Sequence, residues 1–305
     1  MKAPNQIKNI AASTRARLET LARMHGQPFQ ELLQNYFIER FLYRLSISPH
    51  EDRFVLKGAL MLEVWGVSEG RPTKDIDLLG KTANDFDSII QIISDVCNQR
   101  VEDDGVVFDA SSARTEAISE DDLYNGVRVV FSTKLEKART MVQVDIGFSD
   151  HVYPSPSKLP YPVILPNNAP VMRGYSKESF VAEKVEAMTK LGMINSRMKD
   201  IYDVWLLSRR FSFDGQILAD AVHLTFHTRG TRVDPDTKVF QDMFAKDESK
   251  SRQWLAFVKR NRFPECPSTL EQVISELSIF IRPVLMALQT ESSFPMSWNH
   301  VSGWS

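Results

Sequence analysis

A proline-rich segment near the middle of the chain separates two kinds of residue pattern. Six prolines lie between Ser149 and Arg173. Proline has a fixed φ and no backbone N–H, so this segment should be extended and should join neither a helix nor a central strand. Strand patterns dominate before it, and helical patterns dominate after it. We therefore predict a first domain over residues 1–168 and a helical C-terminal domain over residues 169–305.

The first domain is predicted to combine a sheet with helices. One helix should run from Pro28 to about Ser46, and its apolar residues occupy two sides, so it should lie between two partners. Another should run from Asn84, as its cap, to about Cys97. Strand patterns occur at residues 54–56, 73–80, 106–118, 126–135 and 140–148.

The second domain is predicted to be helical throughout. Its last helix should open with a capping box formed by Ser268 and Glu271. The stretches with helical periodicity are residues 177–193, 197–211, 215–228, 237–244, 248–260 and 268–281.

Net charge and cysteine content exclude several classes of protein. The formal net charge is −2, so overall charge gives no argument for binding to nucleic acid. Cys97 and Cys266 are far apart and no apolar signal segment is found, which indicates a reducing compartment. No window approaches the roughly 18 apolar residues of a membrane span. We expect a cytoplasmic protein that does not enter a membrane.

Asp75 and Asp77 are the strongest chemical signal in the sequence. On a strand, residues i and i+2 project from the same face, so the two carboxylates should lie side by side while Ile76 points into the core. Like charges this close need a cation, and Mg²⁺ binds carboxylate and phosphate oxygens. Asp-x-Asp alone is common at strand ends and turns, so the neighbouring residues decide how it is interpreted.

The neighbouring residues favour a catalytic site. Asp145, in another predicted strand, would complete a two-metal site. Gly58 lies where a strand turns into a helix, so backbone N–H groups and the helix N-terminus would reach phosphates without a Cβ atom in the way. Arg71 and Thr73 precede the acidic pair.

Together these residues resemble the AbiEii-type nucleotidyltransferase toxins of bacterial toxin-antitoxin systems, in a type IV-like arrangement. The resemblance covers most of the chain. It rests on Lys57-Gly58-Ala59, on RPTKDIDL at residues 71–78, on VQVDIGFSD around Asp145, and on AEKVEAMTKLGMINSRMKDIYDVW at residues 182–205.

Membership in this family implies an α+β fold. A polymerase-β-like nucleotidyltransferase core, with a mixed sheet and flanking helices, would be joined to a helical C-terminal domain that completes the active site and binds the acceptor. The resemblance also implies NTP as substrate, Mg²⁺ or Mn²⁺ as cofactor, and growth inhibition counteracted by a cognate antitoxin. Some relatives add nucleotides to the 3′ end of tRNA.

The resemblance also assigns nucleotide-binding residues. Ala59 follows Gly58 where the superfamily usually has Gly or Ser, so contact with phosphate through the backbone is kept and contact through a hydroxyl is lost. Arg71 would equally form an ion pair with an acidic neighbour. The assigned residues are Lys57, Gly58, Ala59, Arg71, Thr73, Lys184, Lys199 and Asp203.

Lys184 should lie among the apolar residues of its helix. A buried ammonium needs an anionic partner, either a protein carboxylate or a bound triphosphate, unless its stem reaches water. The pattern leaves these possibilities open, and the spacing of Asp200 and Asp203 would equally suit a solvated face. The resemblance assigns Lys184 and Asp200 to catalysis, with Lys184 neutralising charge on pyrophosphate.

We therefore predict metal-dependent transfer of NMP from NTP to an RNA acceptor, a tRNA 3′ end. Asp75, Asp77 and Asp145 are the predicted metal ligands and catalytic carboxylates. Two alternatives are nucleotidylation of a protein side chain and a catalytically idle nucleic-acid-binding module with the same fold. Basic clusters that would hold the RNA, or would serve only solubility, contain Arg197, Arg229, Arg232, Lys259, Arg260 and Arg262.

Overall fold

A computed structural model describes residues 9–68, 73–119, 125–148, 151–261, 263 and 265–305. Arg71 and Arg262, two of the predicted site residues, lie outside these ranges. The described chain forms two compact units. The first comprises the described residues of Met1–Gly66, Pro72–Ser149 and Ser157–Gly174, and the second those of Val67–Arg71, Asp150–Pro156 and Tyr175–Ser305. The predicted boundary at 168/169 therefore falls inside the last segment of the first unit.

The first unit is a seven-stranded mixed sheet with helices, as predicted. Its strand order is β3-β4-β5-β2-β1-β7-β6, and β2 pairs in parallel with β5 and antiparallel with β1. The elements are α1 (Ile10–His25), α2 (Phe29–Ser46), β1 (Phe54–Lys57), α3 (Leu60–Val64), β2 (Asp75–Gly80), α4 (Phe86–Cys97), β3 (Val106–Ser119), β4 (Asn125–Leu135), β5 (Ala138–Gly147), β6 (Ser157–Pro160) and β7 (Val171–Gly174).

Helix α2 is the central helix of this unit, and nearly all of its sides are buried. It contacts α1, α4, β5 and β7, which confirms the prediction that it lies between partners. Phe41 on α2 packs against Phe108 and Phe131, with ring centroids 5.8 and 5.2 Å away. Since side chains alternate along a strand, the residues next to Phe131 project from the other face of the sheet, away from α2.

The end of the proline-rich segment differs from the prediction. β7 lies inside the sheet between β1 and β6, although the segment was expected to join no central strand. The four residues of β7 contain no proline, so every residue keeps its N–H for the ladder. β6 ends with Pro160 and lies at the sheet edge, where a missing N–H donor costs little.

The irregular part of that segment is fixed to α2 by buried charged side chains. Glu39 accepts a hydrogen bond from the Ile164 N–H at 2.7 Å, and Arg40 donates to the Asn168 carbonyl at 2.8 Å. Both side chains are almost completely buried, and burial raises the pKa of Glu39 to about 7. These contacts help to explain why the segment Ser157–Gly174 belongs to the first unit.

The second unit is mainly helical, as predicted, and it also contains a small sheet that was not predicted from the sequence. This sheet has the order β10-β9-β8 and brings the last residues of the chain onto the helices. The elements are α5 (Lys177–Leu191), α6 (Met198–Arg210), β8 (Phe213–Asp214), α7 (Gly215–Thr228), α8 (Asp242–Ala245), α9 (Glu248–Asn261), α10 (Leu270–Gln289), β9 (Ser297–Asn299) and β10 (Gly303–Trp304).

Two predicted helix caps are off by one residue. Asp85, not Asn84, caps α4 and accepts from the Ser88 N–H at 2.8 Å. Thr269, not Ser268, caps α10 and accepts from Gln272. In both cases two capping residues stand side by side, and the sequence alone does not distinguish them.

Helix α1 is not predicted because only three of its residues, Thr14, Leu18 and Ala22, are buried, so its apolar stripe is short. Among the residues that the structure describes, no helix has a stretch long and apolar enough to cross a bilayer.

Candidate active site

The acidic pair lies on one face of β2, as predicted. Asp75 and Asp77 are partly exposed, whereas Ile76 and Leu78 between and after them are buried. This alternation places the two carboxylates about 7 Å apart along the strand at the backbone level, on the face that carries polar side chains. The Thr73 hydroxyl donates to the Asp75 carbonyl at 3.3 Å and so helps to fix the start of the strand.

Asp77 lies directly against the β1–α3 turn. Gly58 in this turn has φ of 66°, in the left-handed region that favours glycine. A Cβ atom on Gly58 would lie 2.0 Å from the Asp77 carboxylate oxygen Oδ2. The glycine is therefore required both by the turn and by the position of the carboxylate.

The turn differs in one respect from the sequence prediction. Helix α3 has only five residues, Leu60–Val64, so it has too few aligned peptides to give the helix N-terminal field expected for phosphate binding. Ala59 occupies the N-cap position in a helical conformation and makes no side-chain cap. Any contact of this turn with phosphate therefore depends on single backbone N–H groups.

The predicted third carboxylate lies beside the pair. In the parallel register of β2 and β5, Asp77 is directly opposite Asp145. Both oxygens of Asp145 accept hydrogen bonds from Arg128 on β4, each at 2.8 Å, and the Gln143 amide is 3.1 Å from both. Within the described residues, no group of three His, Cys, Asp or Glu side chains is arranged as ligands around one point.

Lys57 lies on the other side of the acidic pair. It is opposite Asp77 in the antiparallel register of β1 and β2. Its ammonium nitrogen lies 3.7 Å from the position that a Cβ atom on Gly147 would occupy, so its side chain reaches towards β5. The face that carries Asp77 therefore has a cation on either side of its carboxylates, Lys57 and Arg128.

A second cluster of charges lies in the other unit, between α5 and α6. Lys184 Nζ is 2.7 Å from Asp200 Oδ1 and 2.8 Å from Asp203 Oδ2. The side chains of Lys184, Asp200 and Asp203 are 14%, 7% and 0% exposed. The partner of the buried lysine is thus a pair of protein carboxylates, one of the possibilities that the sequence leaves open, and the solvated face is excluded.

The charges of this cluster stabilise one another. Burial works to raise the pKa of Asp200, but the charge and hydrogen bond of Lys184 outweigh it, so this pKa is lowered. The charges of Lys199 and Arg197 also lower the pKa of Asp200. The Lys184 ammonium also lies 4.7 Å from the centre of the Phe180 ring, within the range of a cation–π contact.

The basic residues predicted to hold RNA fall into two groups. Arg229 is tied to α5, since it donates to Glu186 at 3.0 Å and lies 3.4 Å from Glu183. Its side chain is only 17% exposed, so its position is that of a structural cation. The other described residues of the set are exposed: Arg197, Arg232, Lys259 and Arg260.

The comparison with protein families decides the identity of the chain. Residues 40–275 match the model described as "Nucleotidyl transferase AbiEii toxin, Type IV TA system". This match covers more than half of the chain and includes both charged clusters. The chain belongs to the AbiEii family. It is accordingly a nucleotidyltransferase, and the family resemblance inferred from the sequence is confirmed.

Solved structures and curated proteins add little to the AbiEii assignment. A structure described as a candidate nucleotidyltransferase from H. pylori is 17% identical, covers 87% of this chain and 99% of its own, and has a TM-score of 0.48. JHP933 from Helicobacter pylori is 17% identical, covers 86% of this chain and 94% of its own, and has a TM-score of 0.46. No curated protein matches the chain.

Replacing Gly58 tests the position of Asp77. Gly58→Ala should reduce nucleotidyl transfer by about a hundredfold, because the new Cβ atom displaces the carboxylate by an ångström or more. Gly66→Ala is the matched control. Gly66 has a similar φ of 71°, but a Cβ atom there would meet nothing within 4 Å, so this variant reports the left-handed strain alone. Equal activity of the two variants would contradict the assignment.

Replacing Lys184 tests the buried cluster in the second unit. Lys184→Ala should lower the free energy of unfolding by about 3 kcal/mol or more, because Asp200 and Asp203 lose their counter-charge. Adding Asp203→Asn should recover part of this loss. Urea unfolding measures both, with Lys190→Ala, an exposed position on the same helix, as control. A loss under about 0.5 kcal/mol for Lys184→Ala would show that the cluster contributes nothing structural.

Proposed function

We propose that this AbiEii protein transfers NMP from an NTP to RNA, at the 3′ end of tRNA, and that the reaction depends on Mg²⁺ or Mn²⁺ bound by Asp75 and Asp77. The observation that carries the proposal is the position of these partly exposed carboxylates on one face of β2, with Asp77 against the Gly58 turn, in a chain that belongs to a nucleotidyltransferase family.

The residues of this face fit a hard divalent cation. Asp75 and Asp77 present two carboxylates on one strand face, and carboxylate oxygens are the ligands that Mg²⁺ prefers. The tight contact of Asp77 with Gly58 holds its carboxylate in one place. A bound Mg²⁺ supplies charge neutralisation for the triphosphate and acidifies the attacking hydroxyl.

The protein side chains would orient the substrates around this cation. Asp75 and Asp77 hold it, and backbone N–H groups of the Gly58-Ala59 turn meet the triphosphate without a side chain in the way. Lys57, which reaches towards β5, would neutralise phosphate charge. Asp145 remains the predicted third ligand and base-side carboxylate, although its oxygens are engaged by Arg128.

Lys184 and Asp200 keep the catalytic role assigned by the resemblance as part of this proposal. Lys184 would neutralise charge that develops on pyrophosphate, and its pairing with Asp200 and Asp203 fixes the position of its ammonium group. A structural and a catalytic role are compatible here, since a buried ion pair that fixes a lysine also positions it for a substrate.

RNA is the proposed acceptor because exposed cations lie on the helical unit. Arg197, Arg232, Lys259 and Arg260 are exposed and would meet phosphates, together with Lys199 beside Asp200. Arg229 is removed from this set because Glu183 and Glu186 hold it. The family description names a type IV toxin-antitoxin system, and we propose that a cognate antitoxin counteracts growth inhibition by this chain.

One labelling experiment tests the acceptor and the site together. The protein is incubated with Mg²⁺ and each NTP, labelled in its α-phosphate, in the presence of total RNA and total cell protein. We expect label in RNA of tRNA size. Asp77→Asn and Asp75→Asn should abolish labelling because the cation loses a ligand, whereas Asp87→Asn, an exposed carboxylate on α4, should not.

Salt provides the second arm of the same experiment. RNA held through phosphates binds more weakly as salt rises, with a log–log slope of about 0.7 per contact for single strands, so labelling should fall. Lys259→Ala combined with Arg260→Ala should reduce the slope. Label confined to protein would establish side-chain nucleotidylation instead, and label in neither pool would point to an idle nucleic-acid-binding module.

A further inference from the structure

A row of charged side chains crosses the sheet at the acidic site. In the strand registers, Lys57 is opposite Asp77, Asp77 is opposite Asp145, Asp145 is opposite Arg128, and Arg128 is opposite Glu116. Directly opposite residues share a face of the sheet. We call these five residues the charged row. Within the row, the carboxylates of Asp77 and Asp145 are neighbours. Lys57 lies on the other side of Asp77, and Arg128 lies on the other side of Asp145.

Arg128 on β4 contacts the members of the charged row on both neighbouring strands, Asp145 on β5 and Glu116 on β3. Its Nε and Nη2 atoms donate to the two oxygens of Asp145 at 2.8 Å each, a bidentate geometry with both carboxylate oxygens occupied. Its Nη1 atom lies 3.3 Å from Glu116 Oε1.

A cation at Asp75 and Asp77 must therefore compete with Arg128 for Asp145. A carboxylate that receives two hydrogen bonds from an arginine has few lone pairs left for a metal. Arg128 is nevertheless 33% exposed and already contacts Glu116, which is 64% exposed. The guanidinium has a second carboxylate to which it can turn when it leaves Asp145.

We propose that Arg128 is a positioning residue that withholds Asp145 from the cation and thereby sets the metal affinity of the site. Asp75 and Asp77 would hold the cation without Asp145. Asp145 would join them as a third ligand only when Arg128 turns towards Glu116. This inference rests on the proposed function, because it takes Asp75 and Asp77 as cation ligands.

Binding of Mn²⁺ to the full-length protein without nucleotide tests this role directly. The free ion is measured by its electron paramagnetic resonance signal. Arg128→Gln should tighten binding about tenfold, as expected when a charge-assisted hydrogen-bonded pair no longer has to be broken. Arg128→Lys keeps the charge but loses the bidentate contact, so it should tighten binding by a smaller factor.

A double variant separates the action through Asp145 from a general charge effect. In an Asp145→Asn background, Arg128→Gln should change Mn²⁺ affinity by less than about twofold, because Asp145 is then no longer a ligand to release. Arg139→Gln is the matched control. It removes the same charge from β5, the strand that also carries Asp145, at a position six residues and about 20 Å away from Asp145. This variant should leave Mn²⁺ affinity unchanged.

The experiment distinguishes failure of the role proposed for Arg128 from failure of the proposed metal dependence. Unchanged affinity in both Arg128→Gln and Arg128→Lys would overturn the inference and leave the proposed function intact, provided that Asp77→Asn still abolishes Mn²⁺ binding. The inference is also overturned if Arg128→Gln tightens binding equally in the Asp145→Asn background. Absence of Mn²⁺ binding by the wild-type chain would overturn the metal dependence in the proposed function, and this inference with it.

Discussion

The parallel pairing of β2 with β5 is the constraint on which the chemistry of the first unit depends. It places Asp77 directly opposite Asp145, so carboxylates that are distant in sequence become neighbours on one face of a sheet. Such crowding costs free energy unless positive charge is near. The sheet supplies Lys57 and Arg128 on the two outer sides, and the proposed cation would supply the rest.

The second unit also brings two carboxylates close together, but it neutralises their charge in a different way. There the two carboxylates, Asp200 and Asp203, are buried rather than exposed, and a single lysine from the neighbouring helix lies between them. Burial strengthens each ion pair and also makes the loss of one partner expensive. The two sites therefore differ in burial, since the carboxylates on β2 are partly exposed and those of the second unit are buried.

The sequence predicts the elements and the faces of these residues well, because both follow from local periodicity. The positions of Asp75 and Asp77 on one face come from strand alternation alone, and the family assignment is confirmed. The roles of the site residues remain predictions. Arg128 is missed because register is a tertiary property. The β4–β5 turn at Glu136 has a φ of 55° without an Asn-Gly signal, so the hairpin that puts Arg128 opposite Asp145 is hard to read from the sequence.

The claim that Asp75 and Asp77 form a cation site is tested most directly by urea unfolding of wild type and Asp77→Asn. The measurement compares their free energies of unfolding, first with EDTA and then with Mg²⁺. With EDTA, the variant should be at least as stable as wild type, because one of two crowded charges is gone. With saturating Mg²⁺, wild type alone should gain stability, so the order should reverse. A wild type indifferent to Mg²⁺, together with a variant that is less stable in EDTA, would contradict the account.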